Sequence, residues 1–490
     1  MTKVLFEEHA LQTLSALVRR QRWFRSKSKN CIAAALADFS SFDSEGSSFV
    51  LPVVSFSYDD GSSEAYFVPL RCSGHESGGP GIVFRIKAGD RDLNFSDALY
   101  DSTFMRALLS MMEKGETMDF AGGHASGFSL AEPGALLKMG KEQIRVISSE
   151  QSNTSVVIGR QAIYKSCRKI EEGINPDYEM PEFLYARTSF RSVPRPLGRI
   201  EYTNGGRHAV GILSEYIEND GDCWTYFLGR LTEALRHGDA AGTCFEYIPV
   251  LAGITSSMHN ALSGATLPAF APSPVTPADT DRWAAHFRSL LHSTCSTLRR
   301  VSGDLNDHGR ALAKEFLDRE VSLSSLVSPL RSLTDERVCM TRIHGDYHLG
   351  QVLKAGSSFY VMDFEGEPMR TIEERREINC PLKDVSGMLR SLDYVISAAA
   401  LSAGMAVTDA RVESWKTGAS ELFTVKYREG YSPSMPYLPS GRADISAVLQ
   451  FFLLEKAVYE LDYELNNRPD WAVIPLVHLA KLSAASPDPS

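Results

Sequence analysis

The sequence predicts an α+β protein whose strands lie mainly in the N-terminal part and whose helices lie mainly in the C-terminal part. Short apolar runs separated by glycine-containing turns recur between residues 49 and 213, as in strands. Beyond about residue 220, apolar residues recur at helical spacing, apart from one short hairpin. A chain of 490 residues has room for about three folded units, so an enzyme core fits easily.

The composition excludes several classes of partner. The chain has 51 basic and 61 acidic residues, a formal net charge of −10, which argues against a nucleic-acid backbone or an anionic membrane as main partner. The most apolar stretch, residues 395–407, is too short to span a bilayer. The N-terminus turns acidic after Phe6, so no secretory signal is expected. The eight cysteines form no C-x-x-C pair, which favours reduced thiols in a cytoplasmic protein.

The first predicted unit, residues 1–95, is a small α+β subdomain. Apolar residues at helical spacing predict a helix over residues 4–18. Two apolar runs, 49–56 and 65–68, flank an Asp-Asp-Gly turn and predict a hairpin, and 82–86 predicts a further strand.

The second predicted unit, residues 96–217, begins with a helix over 96–115 and is otherwise rich in strands. A second helix is expected to start near Pro176, because proline is tolerated in the first turn. The predicted strands cover residues 144–147, 155–159, 162–165 and 209–213. The third unit, 218–490, is predicted to be mainly helical.

The most informative stretch is a loop followed by a hairpin, between residues 342 and 365. Two short apolar strands flank a Gly/Ser turn, and pairing Lys354 with Phe359 places Gln351 opposite Met362. The residue after Met362 is an aspartate, so an amide and a carboxylate are neighbours at the open end of the hairpin.

Asp346 lies in the loop that enters this same end, close to His348. Oxygen ligands in such a cluster suit Mg²⁺ beside a nucleotide. Taken one at a time, each residue could simply satisfy loop backbone groups or cap the next turn. The whole pattern, His344-Gly345-Asp346-Tyr347-His348 with Gln351 and then Asp363-Phe364-Glu365, is much more specific.

This pattern resembles the catalytic loop and metal motif of the protein-kinase-like phosphotransferases, in particular those of bacterial maltokinases. The resemblance implies a bilobal fold like that of eukaryotic protein kinases, with an extra N-terminal α+β cap and a helical C-lobe. It implies that Asp346 orients the acceptor hydroxyl, and that Gln351, Asp363 and Glu365 hold Mg²⁺. Gln351 replaces the usual Asn and Glu365 the usual Gly, and both departures resemble maltokinases.

Residues 150–158 resemble the maltokinase phosphate loop, although a Ser/Thr/Asn turn taken alone is usually only a hairpin turn. The segment has no glycine, so backbone N–H groups and hydroxyls would be the phosphate donors. Lys165 falls where a strand lysine pairs nucleotide phosphates, and Glu179 would pair with Lys165 unless it only faces solvent. The nucleotide-binding residues that the resemblance implies are Ser152, Asn153, Thr154, Ser155, Lys165, Glu179, Glu215 and Ile217.

A predicted helix over residues 447–465 is two-faced. Its buried stripe is predicted to consist of Leu454, Val458, Leu461 and Leu465. The other face mixes charged and aromatic side chains and could, taken alone, be a solvated surface. Together with residues 467–471 just beyond the helix, however, it resembles the sugar-binding end of maltokinases. The substrate-binding residues implied are Asp346, His348, Lys456, Tyr459, Glu460 and Tyr463.

The resemblance implies transfer of the ATP γ-phosphoryl group to the anomeric hydroxyl of maltose, with ATP and Mg²⁺ as cofactors. The product, maltose 1-phosphate, would feed α-glucan synthesis from trehalose, with a functional link to a trehalose synthase. A glucosamine kinase or an aminoglycoside phosphotransferase is the nearest alternative, although an aminoglycoside pocket should be more acidic. A non-catalytic nucleotide-binding regulator is disfavoured, since Lys165, Asp346 and Asp363 are all present.

Overall fold

The computed structural model describes residues 3–74, 80–88, 91–147, 153–367, 370–434 and 436–484. The strands are β1 (Cys31–Ser44), β2 (Ser47–Tyr58), β3 (Ser63–Phe67), β4 (Leu70–Ser73), β5 (Val83–Ala88), β6 (Arg91–Asp97), β7 (Thr117–Asp119), β8 (His124–Ser129), β9 (Ile144–Ile147), β10 (Thr154–Ile158), β11 (Ala162–Ser166), β12 (Lys169–Ile170), β13 (Pro196–Asn204), β14 (Gly206–Glu215), β15 (Ser273–Pro274), β16 (Cys339–Met340), β17 (Val352–Ala355) and β18 (Ser358–Val361). The helices are α1 (Lys3–His9), α2 (Leu11–Val18), α3 (Ser102–Lys114), α4 (Ala135–Met139), α5 (Pro176–Arg187), α6 (Cys223–His237), α7 (Ile248–Ser263), α8 (Pro277–Val301), α9 (Asp307–Asp318), α10 (Glu320–Ser324), α11 (Arg331–Asp335), α12 (Ile372–Arg375), α13 (Leu382–Ser402), α14 (Ala410–Glu429), α15 (Arg442–Asn467) and α16 (Val473–Ala484).

The chain divides into two compact units. The first consists of residues 1–187, 193–218 and 369–375, and the second of residues 188–192, 219–368 and 376–490. A further division of the N-terminal part at residues 95 and 96 remains a prediction. Across the described residues, no helix is long and apolar enough to cross a membrane.

The first unit contains two antiparallel seven-stranded sheets. One has the order β12-β3-β2-β4-β6-β5, with β1 paired to β2, and the other has the order β7-β8-β13-β14-β11-β10-β9. The predicted hairpin is confirmed, since Val53 on β2 pairs with Phe67 on β3. The long strand β1 was not predicted, and the single helix expected over residues 4–18 is two helices, α1 and α2.

Helix α3 supplies much of the first unit's core. It begins after Asp101, whose carboxylate accepts backbone N–H bonds, and ends at Gly115, which adopts a left-handed φ of 63°. Phe104, Leu108 and Met112 are buried in a core cluster that includes residues of both sheets. Strand β8 approaches the end of α3 so closely that a Cβ on Gly127 would lie 2.5 Å from the backbone oxygen of Met111. Only glycine permits this approach.

In the second sheet, the strands predicted at 155–159 and 162–165 are β10 and β11, which pair as a hairpin. Ser155 pairs with Lys165, and the turn contains Gly159 at a φ of 57°. Strand β11 also pairs with β14, which places Lys165 opposite Ile212. These pairings fix which face of the sheet carries the Lys165 side chain.

The second unit is mainly helical and is organised around α13, which packs against α6, α14 and α15. The predicted hairpin is confirmed as β17 and β18, with Lys354 opposite Phe359. The backbone N–H of Met362 donates to the oxygen of Gln351 at 2.9 Å, as the predicted register requires. Helix α15 is longer than predicted, and its expected apolar stripe, Leu454, Val458, Leu461 and Leu465, is buried.

Candidate active site

The loop that carries Asp346 is tied to helix α13 through Asp384. One oxygen of the buried Asp384 carboxylate accepts the backbone N–H of His344 at 2.8 Å, and the other accepts that of Gly345 at 3.0 Å. His259 Nε2 lies 3.2 Å from the same carboxylate. Burial alone would raise the pKa of Asp384, but the hydrogen bonds with His259 and His344 hold it below its usual value. A buried, ionised carboxylate therefore anchors the loop.

His344 also ties the loop to the metal motif. Its Nε2 lies 2.8 Å from the backbone oxygen of Met362, and its ring centroid lies 4.8 Å from that of Phe364. Gly345, the residue after His344, adopts a φ of 86°, a left-handed backbone conformation that favours glycine. The sequence reading gave His344 no separate role, because its contacts are with distant residues.

Asp346 lies between two basic side chains. Its Oδ1 is 3.6 Å from Lys456 Nζ, and its Oδ2 is 3.9 Å from His348 Nε2. A quarter of the Asp346 side chain is exposed, so a ligand can reach it. Burial alone would lower the pKa of Lys456, but nearby carboxylates, Asp346 first among them, raise it. Burial lowers the pKa of His348 against the opposing effect of Asp346.

The predicted metal ligands lie at the open end of the β17–β18 hairpin. A carboxylate oxygen of Asp363 and one of Glu365 lie within 4.8 Å of each other. Gln351 accepts its backbone bond from Met362, the residue before Asp363. Asp363 has a φ of 54°, a strained value for a residue other than glycine that is often found at functional sites. Two carboxylates with a nearby amide are hard oxygen donors and fit Mg²⁺.

A cavity of about 510 Å³ in the second unit contains most of the predicted substrate residues. His348, Lys456, Tyr459, Glu460 and Tyr463 all line it. Its wall also includes Glu464, Arg468 and Trp471, which belong to the helix face and to the segment just beyond it that the resemblance implies for sugar binding. Trp224 and Tyr394, which also line it, were not predicted from the sequence. Tyr394 and Trp471 stack at a centroid distance of 6.0 Å, so the cavity has an aromatic side as well as a charged one.

The two glutamates of this wall are held differently. Glu460 Oε2 accepts hydrogen bonds from Arg390 at 3.0 and 2.6 Å. Glu464 accepts bonds from Tyr394 at 2.6 Å and from two nitrogens of Arg468 at 2.7 and 3.0 Å. Both carboxylates therefore have fixed positions.

Most of the predicted nucleotide-binding residues belong to the first unit. Lys165 Nζ lies 2.8 Å from Asp177 Oδ2, on the helix α5 that also carries Glu179. Asp177, two positions before Glu179, is therefore a carboxylate beside Lys165 that was not predicted. The pairing of Glu179 with Lys165 and its nucleotide role remain predictions.

The predicted phosphate segment is partly strand. Ser152 lies outside the described residues, whereas Asn153, Thr154 and Ser155 are buried at the start of β10. Thr154 Oγ1 accepts a bond from Arg168 Nε at 3.0 Å, while Ser155 Oγ has no hydrogen-bond partner among the described residues.

Two of the predicted nucleotide-binding residues, Glu215 and Ile217, lie at and just beyond the end of β14. The backbone N–H of Glu215, at the end of β14, donates to the Arg195 oxygen at 2.8 Å. Ile217 lies just beyond this strand, near the end of the unit at residue 218.

Comparison with known proteins gives sugar kinases. No family model matches the chain. A glucosamine kinase of Mycolicibacterium smegmatis is 25% identical over 340 residues, 68% of this chain and 77% of that protein. A glucosamine kinase of Streptacidiphilus jiangxiensis is 25% identical over 341 residues, 69% of this chain and 73% of that protein.

Solved structures show the same likeness in fold. A glucosamine kinase in crystal form B superposes with a TM-score of 0.66 at 21% identity, over 96% of this chain and 99% of the other. A glucosamine kinase in complex with glucosamine, ADP and inorganic phosphate gives a TM-score of 0.64 at 20% identity, over 96% and 98%. The chain therefore shares the fold of these enzymes over nearly its whole length, and none of the four is named a maltokinase.

Proposed function

We propose that the protein is an ATP-dependent sugar kinase whose acceptor is glucosamine or a closely similar amino sugar. The observation that carries this proposal is the position of Asp346, which lies beside two residues of a cavity with carboxylates and aromatic rings in its wall. The names of the two sequence relatives support the same class of reaction.

In this proposal, Asp346 accepts a hydrogen bond, and then the proton, from the acceptor hydroxyl. Lys456 lies 3.6 Å from the carboxylate and offsets the negative charge that builds up near the reacting oxygen. Asp384 and His344 keep the loop in place, so the carboxylate does not have to reorganise during the reaction.

The nucleotide is proposed to be bound by residues of the first unit. Lys165 and the 153–155 segment would bind phosphates, with Ser152 extending that segment, while Glu179, Glu215 and Ile217 would complete the nucleotide site. Gln351, Asp363 and Glu365 would hold Mg²⁺, which when bound neutralises phosphate oxygens during transfer. A bilobal arrangement like that of eukaryotic protein kinases is part of this proposal.

The choice of glucosamine over maltose rests on two points. The relatives are named glucosamine kinases, which favours glucosamine, the alternative acceptor predicted from the sequence, over maltose, the acceptor expected first. The cavity wall also carries Glu460 and Glu464. A carboxylate forms a stronger, charge-assisted hydrogen bond with the ammonium group of an amino sugar than with the hydroxyl of a neutral sugar. Maltose is the second candidate, because aromatic walls in a cavity of about 510 Å³ also suit a disaccharide. The link to a trehalose synthase depends on maltose and remains a prediction.

The test is a phosphate-transfer assay with ATP and Mg²⁺ on glucosamine, glucose, maltose and kanamycin at equal concentration, with the phosphate position determined in each product. Preferential transfer to glucosamine is expected, and Asp346→Asn should abolish it. Preferential transfer to maltose at its anomeric oxygen would restore the maltokinase interpretation. Absence of transfer to every sugar would overturn the proposed function.

A further inference from the structure

Glu460 accepts two hydrogen bonds from a buried arginine, Arg390. Arg390 on α13 is fully buried, and both its Nε and its Nη2 donate to the same oxygen of Glu460, Oε2. The third nitrogen, Nη1, donates to Asp393 Oδ2 at 3.0 Å. One guanidinium thus spans two carboxylates, an arrangement that a lysine ammonium on a flexible stem cannot reproduce.

The other oxygen of Glu460, Oε1, differs from Oε2 in its hydrogen bonding. Among the residues that the structure describes, none forms a hydrogen bond with Glu460 Oε1, and the side chain is 16% exposed in the cavity wall. Glu464, one helical turn away, differs in that both its oxygens accept bonds and its side chain is only 3% exposed. Of these two glutamates, Glu460 is therefore the one with an oxygen that can accept a hydrogen bond from a ligand in the cavity.

A purely structural reading is that Arg390, Glu460 and Asp393 form a buried ion cluster that only holds α13 against α15. Such clusters contribute little net stability, since desolvation of the charges offsets their attraction. The two oxygens of Glu460 differ, however, because Oε2 has two donors and Oε1 has none among the described residues. This difference indicates a role in binding, since a purely structural ion pair does not need an acceptor directed at a cavity wall.

We propose that Arg390 is a positioning residue, which fixes Oε2 of Glu460 so that Oε1 is presented as the acceptor for the ammonium group of an amino sugar. This inference rests on the proposed function and assigns amine selectivity to one oxygen. Arg390 itself does not touch the substrate. The selectivity of glucosamine over glucose should then depend on Arg390 as strongly as on Glu460.

The first test is Arg390→Lys, with kcat and KM measured for glucosamine, glucose and ATP. Loss of the two-nitrogen grip should raise the glucosamine KM about tenfold or more, because a charge-assisted hydrogen bond loses its geometry. The KM values for glucose and ATP should stay within about threefold, so the glucosamine-to-glucose selectivity falls; a general packing defect would affect both sugars alike. Arg299→Lys is the matched control, since Arg299 pairs with Glu320 at 2.5 Å on an exposed surface. An unchanged selectivity ratio in Arg390→Lys would overturn the inference.

The second test uses Glu460→Gln, which can be measured even if Arg390→Lys does not fold, and the double variant Arg390→Lys/Glu460→Gln if it does. Glu460→Gln should lose the amine preference, and the double variant should be no more impaired in selectivity than Glu460→Gln alone, because both changes act through one oxygen. Retained amine preference in Glu460→Gln, or additive losses in the double variant, would overturn the inference.

Calorimetric titration of each variant with glucosamine, without ATP, separates the two proposals. If the wild type binds glucosamine but transfers no phosphate, the proposed function fails, while loss of binding in Glu460→Gln still supports the role of Oε1. If the wild type transfers phosphate to glucosamine with the same selectivity as every variant, the inference about Arg390 and Glu460 fails, while the proposed function stands.

Discussion

The backbone N–H of His344 donates a 2.8 Å hydrogen bond to the carboxylate of Asp384, although 40 positions separate the two residues. The bond joins the loop that carries Asp346 to the central helix α13. Asp384 is also within hydrogen-bonding distance of His259, whose other ring nitrogen lies 2.8 Å from the hydroxyl of Tyr427 on α14. The position of the candidate catalytic carboxylate is therefore set by buried polar contacts from three helices.

Replacing Asp384 with Asn should destabilise the protein by about 3 kcal/mol. The amide keeps one acceptor oxygen but loses the second acceptor and the charge, so a buried N–H group is left unpaired. Urea unfolding monitored by circular dichroism measures the change. Asp307→Asn is the control, because the Asp307 side chain is 96% exposed. Equal stability of Asp384→Asn and wild type would contradict the anchoring role.

Replacing Asp346 with Asn should lower kcat for sugar phosphorylation by roughly 10²–10⁴-fold, the usual contribution of a general base. The fold should persist, because a quarter of the Asp346 side chain is exposed and its closest charged contact is a 3.6 Å pair with Lys456. Steady-state kinetics and a thermal melt together check this. A variant that melts like wild type and keeps its kcat would remove Asp346 from the chemistry.

Local patterns in the sequence were enough to predict the elements that carry the candidate catalytic loop. The register of the β17–β18 hairpin follows from its short Gly/Ser turn, and the buried stripe of α15 follows from helical periodicity. Strand β1 was missed because its first half, Cys-Ile-Ala-Ala-Ala-Leu-Ala, lacks the alternation of a half-buried strand; pairing with β2 stabilises it instead.

Contacts between distant parts of the chain could not be read in this way. Asp177 directly follows Pro176, and only the tertiary placement of α5 brings its carboxylate to 2.8 Å from Lys165 Nζ. Arg390 and Glu460 are 70 positions apart on two helices, so no local spacing links them. Burial of an arginine is costly unless it is paired, but sequence alone does not show that Arg390 is buried.

Replacing Lys165 with Met should weaken ATP binding at least tenfold, because the apolar side chain cannot pair with phosphates and leaves Asp177 without this partner. Titration with a fluorescent ATP analogue gives the dissociation constant directly. Lys169→Met is the matched control, since Lys169 also pairs with carboxylates, at 3.0 Å from Glu64. Similar weakening in both variants would indicate a general effect on the sheet instead of a phosphate contact.

The stability of the protein should fall on acidification because of His478. Burial, together with the nearby Arg390, lowers the pKa of His478 to about 3. Between pH 6.5 and 3 the unfolded chain is therefore protonated at this residue and the folded protein is not, so unfolding takes up a proton and acid favours it. Between pH 7 and pH 5 this group should cost about 2 kcal/mol.

The His478→Phe variant tests this assignment. Urea unfolding at pH 7 and pH 5 should show a smaller loss of stability in the variant than in the wild type, whereas substitution of the exposed His237 should leave the pH dependence as it is. An equally steep pH dependence in His478→Phe would mean that other groups cause it.

Substitution of Asp363 should separate metal binding from folding. With a φ of 54°, this residue pays a conformational cost that glycine avoids, so Asp363→Gly should not lower the melting temperature. Both Asp363→Gly and Asp363→Asn should nevertheless lose Mg²⁺-dependent phosphate transfer, because neither supplies the carboxylate oxygen that lies within 4.8 Å of Glu365.

The measurements are melting temperature and kcat over a range of Mg²⁺ concentrations. If Asp363→Asn is rescued by excess Mg²⁺, its amide oxygen still serves as a weak ligand and the metal assignment stands. If either variant works normally at low Mg²⁺, Asp363 is not a metal ligand and its strained backbone needs another explanation.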